Sequence, residues 1–219
     1  MNILILNPNT SKHITERMVS VAKPLLPASW SVTGLTAGNG PKVVNDPSKV
    51  EQATQTIQEM ARAGMNECDG IIIGISLDCA LEEIRAVSSV PVVGMTEAAC
   101  LMACAQTRRF GVLTLGAAMA TSYEKLVDDR GLASRSIGVE APDLGKAFEP
   151  SGALVDESIA EVLTHSARQL VSRGAQSVVL AGAVLCGYAP VLSRRLNVPV
   201  FDGASSAALL MRSLKLVVV

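Results

Sequence analysis

The run GIIIGISLDCALEEIRAVSSVPVVGMTEAACLM, from Gly70 to Met102, can be laid on SVVLAGAVLCGYAPVLSRRLNVPVFDGASSAALL, from Ser177 to Leu210, and that pairing decides the fold. Each copy reads as an apolar strand, a cysteine, an arginine-bearing helix and then Val-Pro-Val. With a shift of 107 residues Ile72 meets Val179 and Cys79 meets Cys186; one inserted residue later Pro91 meets Pro199. The match extends upstream, where Phe110-Gly-Val-Leu-Thr-Leu-Gly116 takes the part that Asn2-Ile-Leu-Ile-Leu-Asn7 takes in the first half. Two copies of one unit of strands and helices follow.

Outward from the repeat, short apolar runs alternate with helix-length amphipathic segments. The strand candidates are Ile3–Leu6, Trp30–Leu35, Ile71–Ile75, Pro91–Val93, Gly111–Leu115, Ser136–Val139, Ser177–Leu180 and Pro199–Phe201. Alternation of this kind predicts parallel, helix-covered sheets. Ser48-Lys-Val-Glu51 has capping-box spacing and opens a helix to about Ala63, and Gly152 to Ser172 carries another helical pattern. The expected fold is α/β with two pseudo-symmetric lobes, each a parallel sheet flanked by helices. The first lobe is residues 1–95, completed by a C-terminal helix at 204–219; the second is 96–203, with a cleft between them.

Composition narrows the function. Of 219 residues 49% are apolar and 18% charged, enough apolar material for a sizeable core. The 19 basic and 20 acidic residues nearly cancel and no basic run exceeds a pair, so neither nucleic acid nor an anionic membrane is an expected partner. The chain enters directly on a strand, with no leader pattern and no span-length apolar run, and a cytoplasmic location is expected. Five cysteines without Cys-x-x-Cys spacing fit neither a disulfide framework nor a zinc site. Cys100 and Cys104 lie one helical turn apart in an Ala/Met/Leu-rich stretch and read as packing residues.

Ligands of open parallel sheets bind beyond the carboxyl ends of strands. Four loops fall there: Asn7–Ser11, Gly74–Cys79, Thr114–Ala118 and Gly182–Gly187, the last including Ala183. All are rich in small or hydroxyl residues whose amides can hold a carboxylate or imide oxygen. Two thiols on opposite walls of such a cleft, Cys79 and Cys186, suit inversion of a stereocentre. One takes a proton from carbon, the other returns one to the opposite face, and backbone donors stabilise the enolate between. No metal or organic cofactor is required. Packing is the competing reading of both cysteines, because a duplication copies core residues as well as functional ones. Ser76 and Thr114 are candidate ligand contacts from the loop and strand end.

Asn7-Pro8-Asn9-Thr10-Ser11 after the first strand, Ala98-Ala99 after Val90-Pro-Val-Val-Gly94, and Val112-Leu-Thr-Leu-Gly116 resemble the hydantoin, allantoin and aspartate/glutamate racemase family over nearly the whole chain. The resemblance implies paired α/β lobes, a cofactor-independent two-cysteine mechanism, a homo-oligomer, and Asn9 as a substrate contact. It also implies a departure. The family's first cysteine directly follows its strand, at the position of Ile75 here, and the second falls on Gly182; both cysteines of this chain stand four residues later. Either the loops bring Cys79 and Cys186 to the cleft, or this member has lost those bases. Gly74-Ile75-Ser76-Leu77 also resembles the arylmalonate decarboxylase branch. The expected activity is racemisation of a carbonyl-activated stereocentre in a hydantoin, allantoin or amino acid, the alternatives being a decarboxylase and a non-catalytic binding protein.

Of the remaining residues, Asp78 is expected to cap the helix that follows it, and Thr10 or Ser11 the first helix. His13 and His165 lack partner spacing for a metal or a triad. Gly38-Asn39-Gly40 reads as a turn and lacks the setting of a dinucleotide fingerprint.

Overall fold

The computed structural model describes residues 1–44, 46–143 and 154–217. All eight strand candidates form. Strands β1 (Asn2–Asn7), β2 (Ser31–Thr36), β3 (Gly70–Ile73) and β4 (Val92–Gly94) make one sheet in the order β2-β1-β3-β4. Strands β5 (Phe110–Leu113), β6 (Ser136–Glu140), β7 (Ser177–Leu180) and β8 (Val200–Asp202) make a second in the order β6-β5-β7-β8. Every pairing is parallel. Ile3 lies opposite Gly70 and Phe110 opposite Ser177, while Ile71 lies opposite Val92 and Val178 opposite Val200. The pairing thus keeps the repeat's register, inserted residue included.

Among the described residues eight α-helices cover the sheets: α1 (Lys12–Ala22), α2 (Val50–Gly64), α3 (Leu81–Val87), α4 (Met95–Gln106), α5 (Ala120–Asp129), α6 (Glu157–Ser172), α7 (Ala189–Leu196) and α8 (Gly203–Val217). Successive side chains of a strand point to opposite faces, so a strand covered on both faces must be apolar throughout. Ile3, Ile5 and Ile72 join a cluster with α1 and α8; Leu4, Leu6, Ile71 and Ile73 join another with α2 and α3. The second sheet divides likewise, Val178 and Leu180 toward α6 and α7, Val112 and Val179 toward α4 and α5. Each fully buried side chain of this size contributes about 1.5–3 kcal/mol.

Helices α4 and α8 pack on each other between the sheets, α4 lying on β5, β7 and β8, and α8 on α1, β3 and β4. Their starts approach closely because residue 203 is glycine: a Cβ there would stand 2.8 Å from the Met95 methyl.

Two helix starts differ in detail from expectation. Asp46, not Ser48, does the capping before α2, accepting from the Ser48 N–H at 2.8 Å; Pro47, with its preset φ, begins a tight turn ahead of the helix. Asp156 caps α6 through Ser158 and Ile159, and residues 152–153 of the expected helix lie outside the described residues. No described helix is long and apolar enough to cross a membrane.

Candidate active site

Strands β1, β3, β5 and β7 end at the four small-residue loops. Asn7 closes β1 fully buried, its amide nitrogen within hydrogen-bond reach of Asn9 Oδ1 (3.0 Å) and Thr15 Oγ1 (2.9 Å). Asn9 Oδ1 also accepts from the Ser11 N–H at 3.0 Å, so the half-buried Asn9 shapes an Asx turn. Ser11 precedes α1 without capping it by its side chain; the hydroxyl donates to the Lys42 carbonyl at 2.7 Å.

At β3 the chain continues the ladder past the strand, the Gly74 N–H donating to the Leu6 carbonyl at 2.7 Å. A Cβ at Gly74 would lie 2.5 Å from that oxygen, so only glycine fits. Two residues on, the Ser76 hydroxyl stands 2.6 Å from the Tyr123 hydroxyl, and the Thr114 hydroxyl at the end of β5 lies beside the same phenol. Burial pushes the Tyr123 phenol up to about 12, against the opposing pull of the Ser76 and Thr114 hydrogen bonds. All three residues are buried. Ser76 comes from the first half and the other two from the second, so this hydroxyl chain joins the halves at the strands' carboxyl ends. Polar hydroxyls gathered there can donate to an oxyanion that develops on a ligand.

Asp78 corrects an expectation. Its backbone is left-handed, with φ +49°, and its carboxylate reaches the start of α4, accepting from the Thr96 N–H (3.2 Å) and the Glu97 N–H (2.7 Å). It caps α4 and not α3. The Thr96 hydroxyl donates to the Ser76 carbonyl at 2.5 Å, so Asp78 and Thr96 together set the loop that carries Ser76. Burial pushes Asp78 up to about 7; the two backbone N–H groups pull it down, the Glu97 charge adds to the rise and Arg130 opposes it.

The two thiols lie in the core. Cys79 packs with Ala53, Ile57 and Ile84, and Cys186 with Ile14, Met18 and Ala204, in two separate apolar clusters. Cys79 is 7% exposed and Cys186 fully buried. Desolvation raises Cys79 to about 11 and Cys186 further, the neighbouring Asp202 charge adding to the latter. The physical reason is position: six residues past the strand end the chain is already turning into α3 or α7, which carries the side chain under the loop. Ile75 packs in the same cluster as Cys79, 5% exposed, so its side chain is core. Gly182 and Ala183 are half-buried, with Ala183 packed against the cluster of Cys186. No hydrogen bond joins Asn9, Gly182 or Ala183 to the Ser76–Tyr123–Thr114 chain among the described residues.

Charges behind the loop tie the halves together. Arg130, just past α5, pairs with Glu82 and lies 3.5 Å from Glu97; Arg85 pairs with both carboxylates. On the other side Arg17 of α1, largely buried, donates to the carbonyls of Leu154 (2.6 Å) and Cys186 (2.7 Å), its guanidinium 5.6 Å from the Tyr188 ring centre. Sequence reasoning missed Tyr123, Thr96, Arg17 and Arg130. The only trace of Tyr123 was its place in the helix opened by the β5 loop. Among the described residues no group of three His, Cys, Asp or Glu side chains is placed to hold a metal.

The family model for Asp/Glu/Hydantoin racemase matches residues 3–211. The chain is 29% identical to the hydantoin racemase of Paenarthrobacter aurescens, over 98% of this chain and 91% of that one. Its fold superposes on an allantoin racemase from Klebsiella pneumoniae with a TM-score of 0.90 at 26% identity, covering 99% of this chain and 88% of that one. An arylmalonate decarboxylase shares the fold alone, with a TM-score of 0.64 at 15% identity over 98% of this chain and 92% of the other.

Proposed function

The chain is an enzyme of the Asp/Glu/Hydantoin racemase family, and from that premise we propose that it inverts a carbonyl-activated stereocentre of a small molecule bearing a carboxylate or imide. The observation that carries this reading is the buried chain Ser76–Tyr123–Thr114, which brings three hydroxyls from both halves to the strand ends. Removing a proton next to a carbonyl leaves an enolate, and preorganised donors in a water-poor site stabilise that charge far more than water does. Similarity to hydantoin and allantoin racemases supports a hydantoin-like substrate. Cofactor independence, a cytoplasmic setting and assembly as a homo-oligomer belong to the same proposal.

Proton transfer by Cys79 and Cys186 requires the loops at 74–80 and 182–187 to shift. With Cys79 at about 11, on the order of one thiol in ten thousand is ionised at neutral pH in the packed state. That burial favours a second reading, in which the cleft binds or decarboxylates its ligand without paired thiol bases.

Deuterium uptake at the stereocentre in deuterated water, followed on each enantiomer of hydantoins and of allantoin, separates the two. Uptake from both enantiomers, reduced roughly 100-fold by Tyr123→Phe, is the expected result. Loss of net racemisation in both Cys79→Ser and Cys186→Ser assigns the bases; unchanged uptake in both makes the thiols bystanders. Binding without any uptake, or carbon dioxide release from malonates, establishes the second reading.

A further inference from the structure

At the opposite end of the second sheet from the hydroxyl chain, where β5, β6 and β7 begin, lies a hollow of about 680 Å³ lined by Arg108, Arg109, Ser134, Arg135, Gly174 and Gln176. Its walls come from three connections, before β5, before β6 and before β7, and hydrogen bonds knit them together. Gln176 Oε1 accepts from the backbone N–H groups of Arg108 (3.0 Å) and Arg109 (3.3 Å), and the Gln176 N–H donates to the Arg109 carbonyl at 2.9 Å. The Arg135 guanidinium is anchored by the carbonyls of Arg108 (2.6 Å), Cys104 (3.0 Å) and Thr107 (2.7 Å).

Three arginines therefore line one concavity in a chain whose net charge is −1. No carboxylate lines it, and among the described residues none of the three arginines has an ion-pair partner. Like charges gathered without a counter-charge repel one another, and a bound anion relieves that repulsion. Arginine forks match the oxygens of phosphate and carboxylate, and the volume is in the range of small-ligand sites.

We propose that this hollow binds a small polyvalent oxyanion, distinct from the substrate of the cleft. Arg108 and Arg109 are the exposed forks that grip the anion, and Arg135, fixed by its backbone bonds, sets the floor. The ligand class is a molecule with at least two negative charges on phosphoryl or carboxylate oxygens, held without contact to Ser76, Thr114 or Tyr123.

Calorimetric titration with inorganic pyrophosphate and with citrate, at low and at physiological salt, tests this without any activity assay. One-site binding of either probe is expected, weakened at least tenfold by Arg108→Ala combined with Arg109→Ala and left unchanged by Arg62→Ala on α2. Tighter binding of pyrophosphate assigns a phosphoryl source, and tighter binding of citrate a carboxylate source. Binding of neither probe at low salt overturns the proposal, as does equal weakening by the Arg62 variant. So does sedimentation showing that the arginines instead hold a second copy of the chain. Thermal melting of each variant checks that the loss is not one of folding.

Discussion

Cys79 and Cys186 hold equivalent places in the two halves, and burial treats them alike: desolvation raises both thiols and keeps them protonated. Cys100 is buried as well, whereas Cys68 and Cys104 are half-buried. Labelling of the native protein with a thiol reagent, read by intact mass, is expected to modify Cys68 and Cys104 first and the other three only with unfolding. Rapid modification of Cys79 or Cys186 would mean that the cleft loops open readily, and would strengthen their role as bases. At this scale the candidate site was only partly legible. Ser76 and Thr114 could be named because strand ends are visible in the apolar pattern. Tyr123, which connects them, lies on a helix whose rotation about its axis no local pattern specifies. The direction of the thiols was illegible for the same reason, since six residues past a strand the chain has already turned.

Helix α4 shows what an element adds. Its first turn would leave backbone N–H groups without partners, and Asp78 supplies a buried carboxylate from the loop after β3. The carboxyl stands at about 7 in the folded protein against an ordinary 3.8, so the folded state keeps its proton longer than the unfolded chain. The associated stability is fully present below about pH 4 and is lost as pH rises toward about 7, on the order of 4 kcal/mol for this one buried group. Asp202, at the start of α8, is also raised by burial and contributes in the same direction. Denaturant melts of Asp78→Asn between pH 4 and 8 are expected to flatten part of this slope and leave the share of Asp202. An unchanged slope would place the carboxyl in a wetter setting than described. The sequence pointed to a cap at Asp78 but attached it to α3, because spacing along the chain cannot reveal a helix start brought near by the sheet.

On the scale of the whole molecule, the halves are joined by α4 against α8, by the hydroxyl chain and by the Arg130 cluster. Arg130→Met removes the cation that crosses from the second half to Glu82 and Glu97, leaving the largely buried Glu97 with Arg85 alone. The expected cost is about 2–3 kcal/mol, a melting temperature lower by roughly 5–10 °C, with part recovered in the double variant carrying Glu97→Gln. Full stability in the single variant would show that the clasp contributes nothing between the halves. The repeat, the eight strands and their parallel pairing were readable from the chain alone. A strand covered on both faces must be apolar along its length, and a duplicated unit repeats that requirement at a constant offset. Tertiary structure alone decided which face each loop residue presents, which carboxylate caps which helix, and whether the two equivalent thiols meet a ligand or the core. Those outcomes depend on contacts between residues far apart in sequence, and packing settles them where local propensity is silent.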